Sequence, residues 1–99
     1  MSNLSFNVSS FRPVDTKLVL MNSSQVDLSF SSAYSTSICA DLWSEEGGAF
    51  SESQNSSTDG QNDSTVSFAG FPSDQNLICR ITVTGESGSE NQVHVSINW

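Results

Sequence analysis

"NLICRITVTGESGSENQVHVSINW", Asn76 to Trp99, decides the fold class. Leu77, Cys79, Ile81 and Val83 recur at every second position, and so do Val93, Val95, Ile97 and Trp99. That is the period of a half-buried β-strand, whose successive side chains point to opposite faces. Between the runs, "GESGSENQ" has no apolar residue and reads as a Gly-centred loop. The stretch therefore predicts a β-hairpin with Val83 opposite Val93, Ile81 opposite Val95, Cys79 opposite Ile97 and Leu77 beside Trp99. A one-residue slip would turn all eight side chains outward. The polar side of this hairpin would carry Ile78, Arg80, Thr82 and Thr84 with His94, Ser96 and Asn98. In that register Thr82 faces His94 and Arg80 faces Ser96.

Upstream the same period continues and helical periodicity is almost absent. Leu4, Phe6 and Val8 mark a first strand, "KLVLM" a short second run, and "QVDLSF" puts Val26, Leu28 and Phe30 on one face. "SICADLW", "AFSES" and "TVSFAGF" supply three more, with turn signals at Arg12-Pro13, Gly47-Gly48 and Phe71–Asp74. Ser53 to Ser64, "SQNSSTDGQNDS", holds no apolar residue and is expected to be an exposed loop. The count, about 7–8 short strands, predicts an all-β protein: a single-domain antiparallel β-sandwich over residues 1–99, immunoglobulin-like or jelly-roll. Strand order does not follow from the pattern.

The chain has 99 residues, 35% hydrophobic and only 14% charged, which suits a thin core between strands that each hide one face. Serine accounts for about a fifth of it, so hydroxyls and amides coat the surface. Three basic residues (Arg12, Lys17, Arg80) against 11 acidic ones give a net charge of −8. That balance removes the electrostatic basis for nucleic-acid binding and for attraction to an anionic membrane. No stretch is long and apolar enough to insert in a membrane. "MSNLSFNVSS" lacks the basic start and apolar run of a signal peptide. N-x-S/T occurs at Asn3, Asn7, Asn22, Asn55 and Asn62, a weak pointer to an extracellular or cell- or particle-surface protein.

Cys39 and Cys79 lack metal-site spacing. On "SICADLW" burial of Ile38, Ala40 and Leu42 costs less than burial of Asp41, so Cys39 faces out while Cys79 faces in. Two free thiols are favoured over a disulfide. The outward face then offers Trp43 as a flat apolar platform beside the Asp41 carboxylate. If this strand neighbours the closing hairpin, Arg80 and His94 join them in a ligand-binding patch. The competing reading puts Trp43 in the core with Asp41 capping a turn. A lone His94 on a polar face with no nucleophile context, and Glu45-Glu46 pointing to opposite faces, give no catalytic site, so a non-enzymatic protein is expected. Asp59, Gln61 and Asp63 alternate as oxygen ligands do in calcium loops, and Gly60 permits a tight bend. The distal glutamate of such loops is missing, and a plain solvated loop competes with this reading.

Three fragments resemble the sandwich-type, calcium-dependent bacterial lectins that bind fucose and mannose. They are Asn22-Ser23-Ser24, Asp59-Gly60-Gln61-Asn62-Asp63 and Ile97-Asn98-Trp99. In that family the acidic loop is longer and directly precedes the final strand, whereas here the closing strand pair intervenes. The departure holds the likeness to fragments and leaves the calcium it implies in doubt. No required cofactor is expected. Three uses of such a sandwich follow: a glycan-binding module, a protein-binding immunoglobulin-like module, and a structural subunit of a coat or filament. In the third, edge strands would pair copies into a homo-oligomer.

Overall fold

The computed structural model describes residues 2–19, 25–46, 50–71, 76–85 and 90–99. The Asn22–Ser24 triplet, the Gly47-Gly48 break and the Pro72–Asp74 turn lie outside them. Eight strands form: β1 (Asn3–Ser9), β2 (Val14–Val19), β3 (Gln25–Ser31), β4 (Ser35–Ser44), β5 (Ser51–Asp59), β6 (Ser64–Ala69), β7 (Asn76–Thr84) and β8 (Gln92–Asn98). They make two four-stranded antiparallel sheets, ordered β1-β8-β3-β6 and β2-β7-β4-β5.

This order settles which sandwich is present. β1 pairs with β8, β2 with β7, β3 with β6 and β4 with β5. The chain is thus one long hairpin doubled back at the β4–β5 connection. Its ribbon wraps into a barrel-like sandwich, closed by β3 on β8 and β4 on β7. That is the eight-stranded jelly roll.

The wrapping corrects the expected closing hairpin. β7 and β8 lie in opposite sheets: Ile81 is opposite Val14 and Ala40, and Val95 is opposite Phe6 and Phe30. Thr82 does not face His94, nor Arg80 Ser96; their partners are Cys39 and Asp41 for β7, and Asn7 and Ser5 for β8. The inward faces were read correctly, since Leu77, Cys79, Ile81, Val83, Val93, Val95 and Ile97 are all buried. Two apolar faces can meet side by side in one sheet or across the core between two, and alternation is the same in both. Residues 85–91 are long enough to step the roughly 10 Å between packed sheets.

Phe30 and Phe68 anchor the core with Leu18, Leu28, Leu42 and Ile81, all essentially without exposure. Burying each contributes about 1.5–3 kcal/mol. β5 is the second correction, because nine residues of the expected loop and its flank form a regular strand paired with β4 from Ser35↔Asp59 to Trp43↔Ser51. It has no apolar side chain to bury. Its inward side chains instead bond across the seam: Gln54 Nε2 to the Ser67 carbonyl, Ser56 Oγ to Ser64 Oγ at 2.8 Å, and Thr58 to Thr36 at 2.6 Å. Thr36 and Thr58 are buried. Satisfied hydrogen bonds thus take the place of apolar packing along this edge. Among the described residues no buried side-chain nitrogen or oxygen lacks a partner.

Candidate functional site

The outer face of the β2-β7-β4-β5 sheet is assembled by register. Asp15, Arg80, Asp41 and Ser53 are successive cross-strand partners, and Lys17, Ile78, Trp43 and Ser51 form the adjacent row. Side chains directly opposite on one face sit about 4.5–5.5 Å apart, so such rows interact. Arg80 grips Asp15 bidentately, Nε to Oδ1 at 2.7 Å and Nη2 to Oδ2 at 3.0 Å. Its guanidinium also lies 5.5 Å from the centre of the half-buried Trp43 ring, a cation–π contact. The Arg80 hydrogen bond holds Asp15 below the usual carboxylate range. Ser53 Oγ donates to Asp41 Oδ1, and the Cys39 thiol lies 3.8 Å from both Asp41 oxygens. Lys17 and Glu45 add an exposed ion pair at 3.1 Å.

Beyond Asp41 the same face carries hydroxyl, thiol and amide side chains as far as Asp59, the partner of Ser35 at its end. Ser37, Ile38, Cys39, Asn55, Ser56, Thr82 and Thr84 line a shallow depression of about 310 Å³. It joins a second of about 410 Å³, whose lining includes Ser35, Ser37, Ser57, Thr84 and Gly85. Ser37 and Thr84 belong to both, so the two form one trough along β4.

Three of the four expected patch residues, Trp43, Asp41 and Arg80, therefore come together. His94 does not join them. It stands on the outer face of the other sheet, where its Nδ1–H donates to Asn7 Oδ1 at 2.9 Å. Sequence reasoning missed Asp15 and the trough. Nothing distinguishes Ser35, Ser37, Asn55, Ser57 or Thr84 from the many other polar residues until β5 is known to be a strand.

The acidic loop has a different use. Asp59 Oδ1 accepts the backbone N–H groups of Gln61 and Asn62 at 2.8 Å, and Oδ2 accepts Asn62 Nδ2 at 3.0 Å. These bonds, the Asn62 N–H foremost, bring Asp59 down to about 2. The turn also needs Gly60, whose φ is +88° and whose missing Cβ would sit 3.1 Å from the Ala33 carbonyl oxygen. Of the three expected loop ligands Asp59, Gln61 and Asp63, Asp59 thus has both carboxylate oxygens engaged in turn hydrogen bonds. Among the described residues no three His, Cys, Asp or Glu side chains gather as metal ligands. Ile97-Asn98-Trp99 lies at the opposite end of the sandwich, where Trp99 and Ser2 exchange backbone hydrogen bonds.

Both cysteines are free thiols. Burial raises Cys39 and pushes Cys79 up to about 12, with the Asp41 charge adding to both. Among the described residues no helix is long and apolar enough to cross a membrane.

No family model and no curated protein matches the chain. Solved structures do share its fold. A segment of tripeptidyl peptidase 2 superposes with a TM-score of 0.75 at 10% identity, covering 94% of this chain and 8% of that one. The Yersinia pseudotuberculosis-derived mitogen gives 0.63 at 8% identity, covering 98% and 85%. TmCBM61, solved with β-1,4-galactotriose, gives 0.60 at 14% identity, covering 94% and 59%. The chain thus spans a small part of the peptidase and more than half of the carbohydrate-binding module. At these identities the likeness defines the class of protein, a β-sandwich of jelly-roll type.

Proposed function

We propose that the chain is a non-enzymatic recognition module that binds glycans on the outer face of the β2-β7-β4-β5 sheet. One observation carries this reading: a partly exposed indole and a hydroxyl-lined trough share one sheet face. A sugar presents an apolar C–H face and a rim of hydroxyls, and these groups match both. The ring stacks on Trp43, and its hydroxyls meet the serine, threonine and asparagine side chains, each net hydrogen bond contributing roughly 0.5–1.5 kcal/mol.

The groups around the indole are held before any ligand arrives. Arg80 is fixed by Asp15 and Asp41 is bonded by Ser53. Binding then orders few side chains, which keeps its entropy cost low. The jelly roll of TmCBM61 holding β-1,4-galactotriose supports the ligand class. Such a module works where glycans are displayed, outside the cell or on a particle surface.

The test is a glycan array probed with labelled protein, in calcium and in chelator, alongside Trp43→Ala. The reading requires a restricted set of bound sugars, the same in both buffers, and their loss in the variant. A blank array with folded protein contradicts it.

Protein recognition is a second reading, favoured by β5. This edge strand runs nine residues in unbroken register with no Pro or Lys. Its guards against strand addition are the charges of Glu52 and Asp59. Sedimentation over a range of concentrations would reveal pairing of copies through it.

A further inference from the structure

The trough's shape and charge narrow the ligand, on the reading that the chain binds glycans. From Ser35 to Trp43 the outward side chains of β4 are Ser35, Ser37, Cys39, Asp41 and Trp43. At about 3.4 Å per residue this line is roughly 27 Å long, well beyond one sugar ring. The two depressions occupy the Ser35–Cys39 part of the line and share Ser37 and Thr84. Trp43 stands at the other end. Between them Asp41 is tied to Ser53, and at the Ser35 end Asp59 is bonded within its own turn, so among the described residues both carboxylates beside the trough have partners.

The surroundings set the sign of the exclusion. Asp15, Asp41 and Glu45 border the indole, whereas Arg80 and Lys17 are each already paired with a carboxylate. A uronate or sulfate lying here would meet net negative charge on a protein of net charge −8. A neutral ligand meets no such repulsion. The trough is also shallow, with β5 a low outer rim of Asn55 and Ser57, so it does not enclose a chain end.

We infer that the site takes an internal stretch of a neutral, linear polysaccharide, laid along β4 from Trp43 to Ser35. Recognition is distributed over several sugar units: one stacks on the indole and the others hydrogen-bond in the trough.

An array carrying mono- to hexasaccharides of neutral β-1,4-galactan, mannan, xylan and glucan, together with uronate and sulfated chains, tests this. Affinity for the bound neutral series should rise about tenfold or more from one unit to four, a scale set by 1.4 kcal/mol per decade. Uronate and sulfated chains should not bind. Ser37→Tyr fills the trough at an exposed strand position that tolerates an aromatic residue. It should abolish the gain with length and leave thermal stability unchanged. Cys39 gives a readout independent of affinity, since it lines the trough while Cys79 is fully buried. The hexasaccharide should slow alkylation of Cys39 severalfold, and the monosaccharide should not.

A blank array overturns the glycan reading and this inference with it. Binding that ignores length, prefers anionic chains, survives Ser37→Tyr or leaves Cys39 unprotected overturns the inference alone.

Discussion

The two outer faces of the sandwich are cut from the same serine-rich composition and are arranged in opposite ways. On the β1-β8-β3-β6 sheet, polar side chains pair with their cross-strand neighbours. Asn3 donates to Asn98 at 2.5 Å, Ser5 and Ser96 are 3.3 Å apart, His94 meets Asn7, and Asp27 accepts from Ser67 at 2.6 Å and Gln25 at 2.8 Å. On the β2-β7-β4-β5 sheet the bonded groups gather around Trp43, and an open hydroxyl trough continues beside them. A face that ties up its own donors and acceptors has little left to offer a ligand. The difference shows that polarity alone does not mark a binding surface; an aromatic ring beside open hydroxyls does.

Both faces depend on the shared core, and the largest effect comes from breaking it. Phe68→Ala should cost roughly 3–5 kcal/mol in urea unfolding, because its side chain has no exposure. Both faces would be lost in one cooperative transition. The next substitutions separate them. Trp43→Ala should remove glycan binding and lower stability by less than about 2 kcal/mol, as fits a half-buried ring with one cation–π partner. Placed opposite, His94→Ala should leave binding unchanged and move stability by no more than about 0.5 kcal/mol. Calorimetric unfolding and array binding of the pair read both quantities.

A smaller effect belongs to the Asp59 turn. Its carboxyl is held at about 2 in the folded chain against an ordinary 3.8. A depressed folded value means stabilisation that is complete above about pH 4 and lost as pH falls towards 2. Asp59→Asn should flatten the acid limb of a melting-temperature profile in that window. Smallest of all, calcium or chelator at neutral pH should leave the melting temperature of the native chain unchanged, because the Asp59 oxygens are engaged by the turn. A calcium-dependent rise would return this loop to the binding surface.

Most of the strands were legible because alternation is a local signal. Val26, Leu28 and Phe30, or Val93, Val95 and Ile97, announce their buried face without reference to any partner. Partner choice is not local, so β7 and β8 read as a hairpin although they end in different sheets. β5 was legible only at its start, in "AFSES", for a different reason. Its inward residues are Gln54, Ser56 and Thr58, so hydrogen bonds to β4 and β6, rather than apolar contacts, hold it in place. The site follows the same division. Outward Trp43 and Asp41 could be read from β4 itself, while Asp15 and the trough depend on pairings with β2 and β5.

The most direct test of the contrast between faces is an amide and indole NMR titration of the native chain with the neutral hexasaccharide that binds best among galactan, mannan, xylan and glucan. The expected result is shifts confined to outward residues of β4, β5 and β7 and to the Trp43 indole N–H, with the Asn7 and His94 signals unmoved. Shifts centred on Asn7 and His94, or none at saturating sugar, would contradict the assignment of binding to the Trp43 face.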